Sequence, residues 1–355
     1  MMQAVVNVAL VGYGLAGQSF HAPIITAVPG LHLKTVVQRH GAQSKERYPW
    51  VNVAKSVDEV LADPDIQLVV VATPNPTHYE LARQLIEAGK HVVVDKPFTP
   101  SAQEAASLIG LAQKKQRVLS VFQNRRWDGD FLTVKRVVES GTLGTLVEYE
   151  SHYDRYVNYL RPNTWKEEEN PGAGILYDLG AHLIDQVLVL FGLPQSVRAD
   201  LRRQRPQSRI DDSFEVVLQY ESGLKAILKG SMLVREIGPH YVLHGQEGSF
   251  VKYGLDPQEA CLKAGRSPVG DPLWGVDLPD QWGILNTQLS GLHFRGQVET
   301  IPGDYRAYYQ NIYETITQDK ELAVKPEDGY QTIRVIERAF ESHRAGKTLT
   351  FLVGN

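Results

Sequence analysis

VALVGYGLAGQSF, residues 8–20, runs from an apolar segment through a glycine turn into a helical pattern. The longer run VVNVALV (5–11) has the composition of a short buried strand of a parallel sheet. Gly12, Gly14 and Gly17 then follow in the spacing G-x-G-x-x-G, which gains physical meaning from this strand–turn–helix context. Gly12 permits the tight turn, Gly14 lets backbone approach a pyrophosphate, and Gly17 lets helix and strand pack closely. Amide groups at a helix start, together with the helix dipole, favour an anion there. The backbone of Tyr13, Leu15 and Ala16 belongs to the same candidate cofactor turn. Glycines that serve only a tight turn are the competing reading.

Outward from this turn, strand-like and helix-like segments alternate. LHLKTVVQ (31–38), IQLVVVAT (66–73), HVVVD (91–95) and RVLSVF (117–122) read as further strands. Helical patterns over Leu15–Ala27, Val57–Leu61, His78–Ala88 and Ser101–Lys114 separate them. This order predicts a doubly wound parallel sheet of the Rossmann type. After about residue 124 the pattern changes to alternating runs divided by Gly and Ser turns, such as TLVEYESHY, SVRADLRRQ, SFEVVLQY, KAILKGSMLV and HYVLHG. A helix over Gly174–Phe191 is expected against an open, mostly antiparallel sheet, and ESG (221–223) marks a hairpin. The expected architecture is α/β: a nucleotide-binding Rossmann domain at 1–123, then an α+β substrate-binding domain at 124–355.

Composition narrows the function classes. The 355 residues carry a formal net charge of −4, with no bulk attraction to nucleic acid or anionic membrane. One cysteine, Cys261, allows no internal disulfide, which suits the cytoplasm. No apolar run approaches the roughly 20 residues of a membrane span. The arginine-rich RADLRRQRPQSRIDD (198–212) reads as a phosphate or acidic-partner site or, more simply, as a charge-guarded strand edge.

The end of the second strand reports on the cofactor. An NAD site usually carries Asp or Glu there to hold the ribose 2′-hydroxyl. Here the residues are Gln38, Arg39 and His40. No carboxylate would repel a 2′-phosphate, and Arg39 could pair with it, which favours NADP over NAD. Thr73, Pro74, Asn75 and His78 follow IQLVVVAT, where open α/β sheets bind ligands. They are candidate cofactor contacts or plain loop residues.

VVVDKPFTP (92–100) brings Asp95 and Lys96 to the end of another strand and stiffens the loop with Pro97. An ammonium held beside a hydroxyl can stabilise a developing alkoxide and relay its proton. A lysine snorkelling from a strand end is the plain alternative. In GILYDLGAHLIDQ (174–186), Asp178 and His182 stand four apart on one helical face, with Asp185 about a turn further. They suit acid–base chemistry, a helix cap with a core histidine, or a metal. No third ligand lies at a familiar spacing, so no metal is expected.

Taken together, the glycine turn, the Lys-Pro pair and the D-x-x-x-H helix resemble the glucose–fructose oxidoreductase/inositol dehydrogenase/MocA family. FQNRRWDGDF, ILYDLGAHLIDQ and VKYGLDPQEA resemble its branch of NADP-dependent scyllo-inositol dehydrogenases and their bacterial relatives. The resemblance implies hydride transfer between a polyol or sugar hydroxyl and NADP. It implies Lys96 polarising the hydroxyl, His182 accepting its proton, and Asp178 positioning both His182 and substrate. It implies a cis Lys96–Pro97 bond and a homo-oligomer formed through the C-terminal sheet. Asp95 and Lys96 would also touch cofactor, and Asp95 replaces the family's usual Glu with a shorter side chain. Asn124 and Arg125 should line the crevice, with Asn124 toward cofactor and Arg125 toward substrate. Tyr153, Arg155 and Trp165 precede the catalytic helix and could reach a polyol. A carbonyl reductase on the same site and a non-catalytic nucleotide sensor are the rival readings.

Overall fold

The computed structural model describes residues 4–162 and 164–351. The chain divides into two compact units, and each draws on distant stretches of sequence. The first takes Met1–Trp127, Pro257–Trp274 and Asp304–Tyr330. The second takes Asp128–Asp256, Gly275–Gly303 and Gln331–Asn355.

In the first unit, β1 (Val6–Val11), β2 (Leu31–Val37), β3 (Asn52–Ala54), β4 (Leu68–Val71), β5 (His91–Val94) and β6 (Leu119–Val121) form one parallel sheet. The strand order is 3-2-1-4-5-6, with the chain reversing its direction of travel between β1 and β4. Val8, Leu10, Val69, Val70, Val92 and Val93 are fully buried, as strands covered on both faces require. Each such side chain contributes about 1.5–3 kcal/mol of burial. Polar residues inside these strands are few; Thr35 and Ser120 are buried, and the Ser120 hydroxyl donates to the Val324 carbonyl at 2.8 Å. Short β3 has too little apolar pattern to stand out in the sequence, and it is an addition to the expected strands.

The second unit is built on a mixed, mostly antiparallel sheet. Its strands are β7 (Leu146–His152), β8 (Ser196–Arg202), β9 (Ser213–Gln219), β10 (Lys225–Ser231), β11 (Tyr241–Gly245), β12 (Gly248–Lys252), β13 (Gly283–Leu289), β14 (Leu292–Val298) and β15 (Leu349–Thr350). Their order is 14-13-12-11-7-10-9-8-15, and only β7 and β10 run parallel. The hairpin at 221–223 joins β9 to β10, with Gly223 at φ +86°. β12, β13, β14 and β15 are additions to the sequence reading. Ser290 and Gly291, both with positive φ, make the β13–β14 turn, and Ser-Gly between two strand runs was the available signal. β14 is exposed along most of its length, so it shows no apolar alternation.

One face of this sheet is apolar. Phe214, Val216 and Leu218 of β9 and Ala226 and Leu228 of β10 point into the core. A helical stretch covers them, π-helical over Leu176–Gly180 and α-helical over Ala181–Phe191. The Phe214 ring packs against Gly230, where a Cβ would lie 2.4 Å from it, and against Gly180, where a Cβ would lie 3.3 Å from it. Tyr241 Oη donates to Gln186 Oε1 at 2.9 Å, fastening the helix to β11. The other face carries charges, among them the pairs Lys229–Glu150 and Lys225–Glu148.

The arginine-rich segment divides. Arg198 and Arg202 lie exposed on β8, Arg202 paired with Asp200, as a charged strand surface. Arg205 departs from that reading. Its side chain is 4% exposed and pairs with Glu167 at 2.9 Å and Asp212 at 3.1 Å, which makes it an internal tie. No helix among the described residues is long and apolar enough to cross a membrane.

A second buried charge tests how the sheet is held. Lys252, at the end of β12, is fully buried and donates to Asp277 Oδ2 at 2.8 Å and to the Tyr253 carbonyl at 2.7 Å. Removing the ammonium strands a buried carboxylate. Lys252→Met should therefore cost roughly 3–5 kcal/mol, read as a lower urea midpoint. Adding Asp277→Leu should restore much of it, and an unchanged midpoint in the single variant contradicts this account.

Candidate active site

In the first unit, the candidate cofactor residues gather at the carboxyl ends of β1, β2, β4, β5 and β6. Gly12 has φ +100°, and a Cβ there would lie 2.6 Å from the Ala72 carbonyl oxygen. A Cβ on Gly17 would lie 2.3 Å from the Gly12 carbonyl oxygen. Both glycines are thus demanded by close backbone approach. Gly14 is different, since a Cβ there would meet nothing within 4 Å. It opens a cradle over the turn, which fits a pyrophosphate approaching the backbone. Tyr13, Leu15 and Ala16 complete the turn, with Leu15 60% exposed. Gln18 Nε2 donates to the Tyr13 carbonyl and to Gln43 Oε1, joining the turn to the loop after β2.

That loop is braced by Gln38. Its Oε1 accepts from the Ser44 amide at 3.0 Å and the Ser44 hydroxyl at 2.5 Å. Gln38 is buried, and its observed work is to shape the loop that presents the exposed Arg39 and His40. After β4, Thr73 and Thr77 share a hydroxyl hydrogen bond at 2.6 Å, and Pro74 accepts from Thr77. Asn75 is buried at the start of a short 3-10 turn. His78 is fully buried, with Nε2 2.9 Å from the Thr73 carbonyl and Nδ1 3.0 Å from the Pro97 carbonyl. It straps the β4 loop to the β5 loop.

Asp95 and Lys96 follow β5 directly, and the Lys96–Pro97 bond is cis. Asp95 Oδ1 accepts the Lys96 N–H at 2.9 Å. Burial raises the Asp95 carboxyl, but His21, Lys96 and His78 hold it below its ordinary value, so it stays charged. Asn124 and Arg125 sit in the 3-10 turn Asn124–Trp127 after β6, both buried. Arg125 ion-pairs with Glu259, which also binds Lys263. Against the cost of burial, Arg125 and Lys263 bring the Glu259 carboxyl down to about 2.

In the second unit, Tyr153, Arg155, Asp178 and His182 are grouped around the covering helix. Asp178 lies within the π-helical Leu176–Gly180 and His182 in the first α-helical turn. The wide π turn was invisible to a 3.6-residue pattern, and such turns recur at functional sites. Asp178 Oδ1 accepts from Lys166 Nζ at 3.1 Å. His182 is 4% exposed, and its ring lies 6.4 Å from the Tyr153 ring at 31°. The Arg155 guanidinium stands 5.5 Å from the centre of the Tyr153 ring, and His240 meets that ring edge-on at 5.7 Å. The side chain of Trp165 lies outside the described residues. No group of three or more His, Cys, Asp or Glu among the described residues is arranged to hold a metal.

Several positioning groups escaped the sequence reading. Asp211 is the clearest. Its Oδ2 accepts from the Leu176 amide at 2.9 Å and its carbonyl from the Ile175 amide at 3.0 Å, at the entry to the Asp178–His182 helix. Gly174, at φ +101°, leaves room for it, since a Cβ there would lie 1.9 Å from Asp211 Oδ1. The only hint was an acid just before a strand. His21, Tyr309 and His240 carry no local pattern, and Glu259 lies in VKYGLDPQEA with nothing there to mark it as a partner of Arg125.

Comparison with known proteins bears on this geometry. Residues 6–123 match the family model described as an oxidoreductase family, NAD-binding Rossmann fold, and residues 135–351 match its C-terminal alpha/beta domain. This chain belongs to the Gfo/Idh/MocA oxidoreductase family. As a member it is an oxidoreductase with an NAD(P)-binding domain. It is 43% identical to the uncharacterised oxidoreductase YdgJ of Escherichia coli, covering 96% of this chain and 97% of that one. It is 40% identical to the scyllo-inositol 2-dehydrogenase (NADP(+)) IolW of Bacillus subtilis, over 97% and 95% of the two chains. Among solved structures, an oxidoreductase of Bacillus subtilis, yvaA, superposes with a TM-score of 0.95 at 38% identity, covering 99% and 100%. An oxidoreductase from Bacillus cereus gives 0.91 at 35%, over 99% and 100%.

Asp211 ties the helix of this Gfo/Idh/MocA chain to pH. Burial pushes its carboxyl up to about 6 from an ordinary 3.8. The folded protein therefore holds a proton that the unfolded chain releases. Its contribution to stability is full below pH 3.8 and is lost as pH rises through about 6. Between about pH 4 and 6.5, wild type should lose stability relative to Asp211→Asn. Parallel urea titrations measure this, and a constant difference across the range contradicts it.

Proposed function

We propose that this oxidoreductase is an NADP-dependent dehydrogenase of a cyclitol or sugar, with scyllo-inositol-like substrates, working in the cytoplasm. The observation that carries the reading is Lys96, held at the end of β5 in the same unit as the open glycine cradle. NADP, when bound, supplies the hydride acceptor. Lys96 polarises the substrate hydroxyl and stabilises the developing alkoxide. His182 takes the proton, and Asp178 orients substrate and imidazole. Tyr153 and Arg155 offer an aromatic face and a cation beside His182, a combination suited to a polyol ring. The same residues run the reverse carbonyl reduction by microscopic reversibility.

Three features support NADP: an exposed Arg39 after β2, no carboxylate at residues 38–40, and the cofactor in the name of the relative IolW. Arg39 would pair with the 2′-phosphate while Gln38 shapes its loop. For the assembly, a homo-oligomer formed through the second sheet is what the family resemblance supports.

Initial rates of NADPH formation over inositol isomers and aldoses, with NAD in parallel, test the whole reading. Turnover of a cyclitol or sugar with NADP is expected, and silence in both directions defeats it. Lys96→Ala should lower kcat by roughly 10²–10⁴ while NADPH still binds. Unchanged turnover would remove Lys96 from the chemistry. Arg39→Ala should cut the NADP-over-NAD preference by about tenfold or more, as loss of a charged hydrogen bond implies. A preserved preference would place cofactor selection elsewhere.

A further inference from the structure

Behind Asp95 sits a histidine that none of these roles uses. His21 is fully buried at the end of the π-helical segment Gly17–His21, four residues beyond the last glycine of the turn. Its Nδ1 lies 2.6 Å from Tyr309 Oη, and its ring packs 4.3 Å from Phe122. Tyr309 is itself buried, and its ring rests against Phe122 at 5.6 Å. A tyrosine hydroxyl that donates to Nδ1 leaves the imidazole proton on Nε2. That Nε2 makes no hydrogen bond among the described residues and faces Asp95 Oδ1 at 3.6 Å. A buried N–H aimed at a charged carboxylate, a few tenths of an ångström short of a hydrogen bond, is a contact poised to close. Catalytic hydrogen bonds often tighten only when the site is loaded.

We propose that His21 is a positioning residue: held by Tyr309, it clamps the Asp95 carboxylate and so sets the backbone from which the Lys96 ammonium projects. The inference rests on the role given to Lys96 above. Asp95 is the link, because the same Oδ1 that faces His21 accepts the Lys96 N–H. The arrangement also joins two parts of the site. The helix that begins on the glycine cradle carries, at residue 21, the group that holds the lysine loop. That chain of contacts is a direct route from the cradle to the Lys96 backbone.

Two substitutions separate positioning from packing. His21→Phe keeps an aromatic ring beside Phe122 and removes both nitrogens. His21→Gln keeps an N–H able to reach Asp95. The Phe variant should lose roughly 10–100-fold in kcat, with the NADPH Kd and substrate KM within about threefold of wild type. The Gln variant should recover to within about fivefold of wild-type kcat. A Phe variant with wild-type kcat, or a Gln variant that falls as far as the Phe variant, overturns the proposal. Should His21→Phe not fold, Tyr309→Phe deletes a single oxygen and should lower kcat by about threefold or more; unchanged kcat overturns it. Should wild type turn over nothing in the panel, the functional reading fails on its own. The clamp is then read without turnover, by trace acetylation of Lys96 with acetic anhydride and mass spectrometry. The labelling rate should differ by about threefold or more between wild type and His21→Phe, and equal rates overturn the proposal.

Discussion

The backbone approach at the end of β1 constrains everything around it. With 2.6 Å between a would-be Cβ at residue 12 and the Ala72 carbonyl oxygen, only glycine lets β1 and β4 end side by side. Gly17 applies the same exclusion to the helix that follows. Once those ends are fixed, the strand order places every exit from the sheet along one edge. A parallel sheet covered on both faces leaves its strand ends as the main place for polar side chains. Thr73, Asn75, Asp95, Lys96 and Asn124 all occupy that edge, each as the first or nearly the first residue beyond an apolar strand.

The second unit solves a different problem. Its sheet has one apolar face to cover, and the cover is the helix that carries Asp178 and His182. The entry of that helix is set by Gly174 and Asp211, and its body by Phe214 beneath Gly180 and by the Tyr241–Gln186 hydrogen bond. The packing that stabilises the sheet therefore also orients the acid and the imidazole. Stability and site geometry share the same contacts.

Buried polar groups do the fine positioning in both units. Arg125 is bound to Glu259, Arg205 to Glu167 and Asp212, and His78 to two carbonyls. Each would be costly if left unpaired, so each has a defined partner. His21 Nε2 makes no hydrogen bond among the described residues, and it faces Asp95 Oδ1 at 3.6 Å. Hydrogen-bonded groups of this kind fix the orientation of the side chains they hold as well as their place.

Much of this was legible because it is written in short windows. The valine runs announced five of the six parallel strands, the glycine spacing announced the cradle, and the D-x-x-x-H helix announced its pair. β3 and β14 stayed hidden, one too short and the other too exposed to show an apolar pattern. The π turn at Leu176–Gly180 also leaves no mark in residue types. Pairings between distant residues had no local signal either: Arg125 meets Glu259 across 134 positions, and His21 meets Tyr309 across 288. By itself the sequence determined the fold class, the family resemblance and which side chains stand at the strand ends, since those depend on propensity and spacing within a few residues. Tertiary structure alone decided which buried polar group each of them leans on, because that depends on where the chain returns after long excursions and on which partner can satisfy a group removed from water.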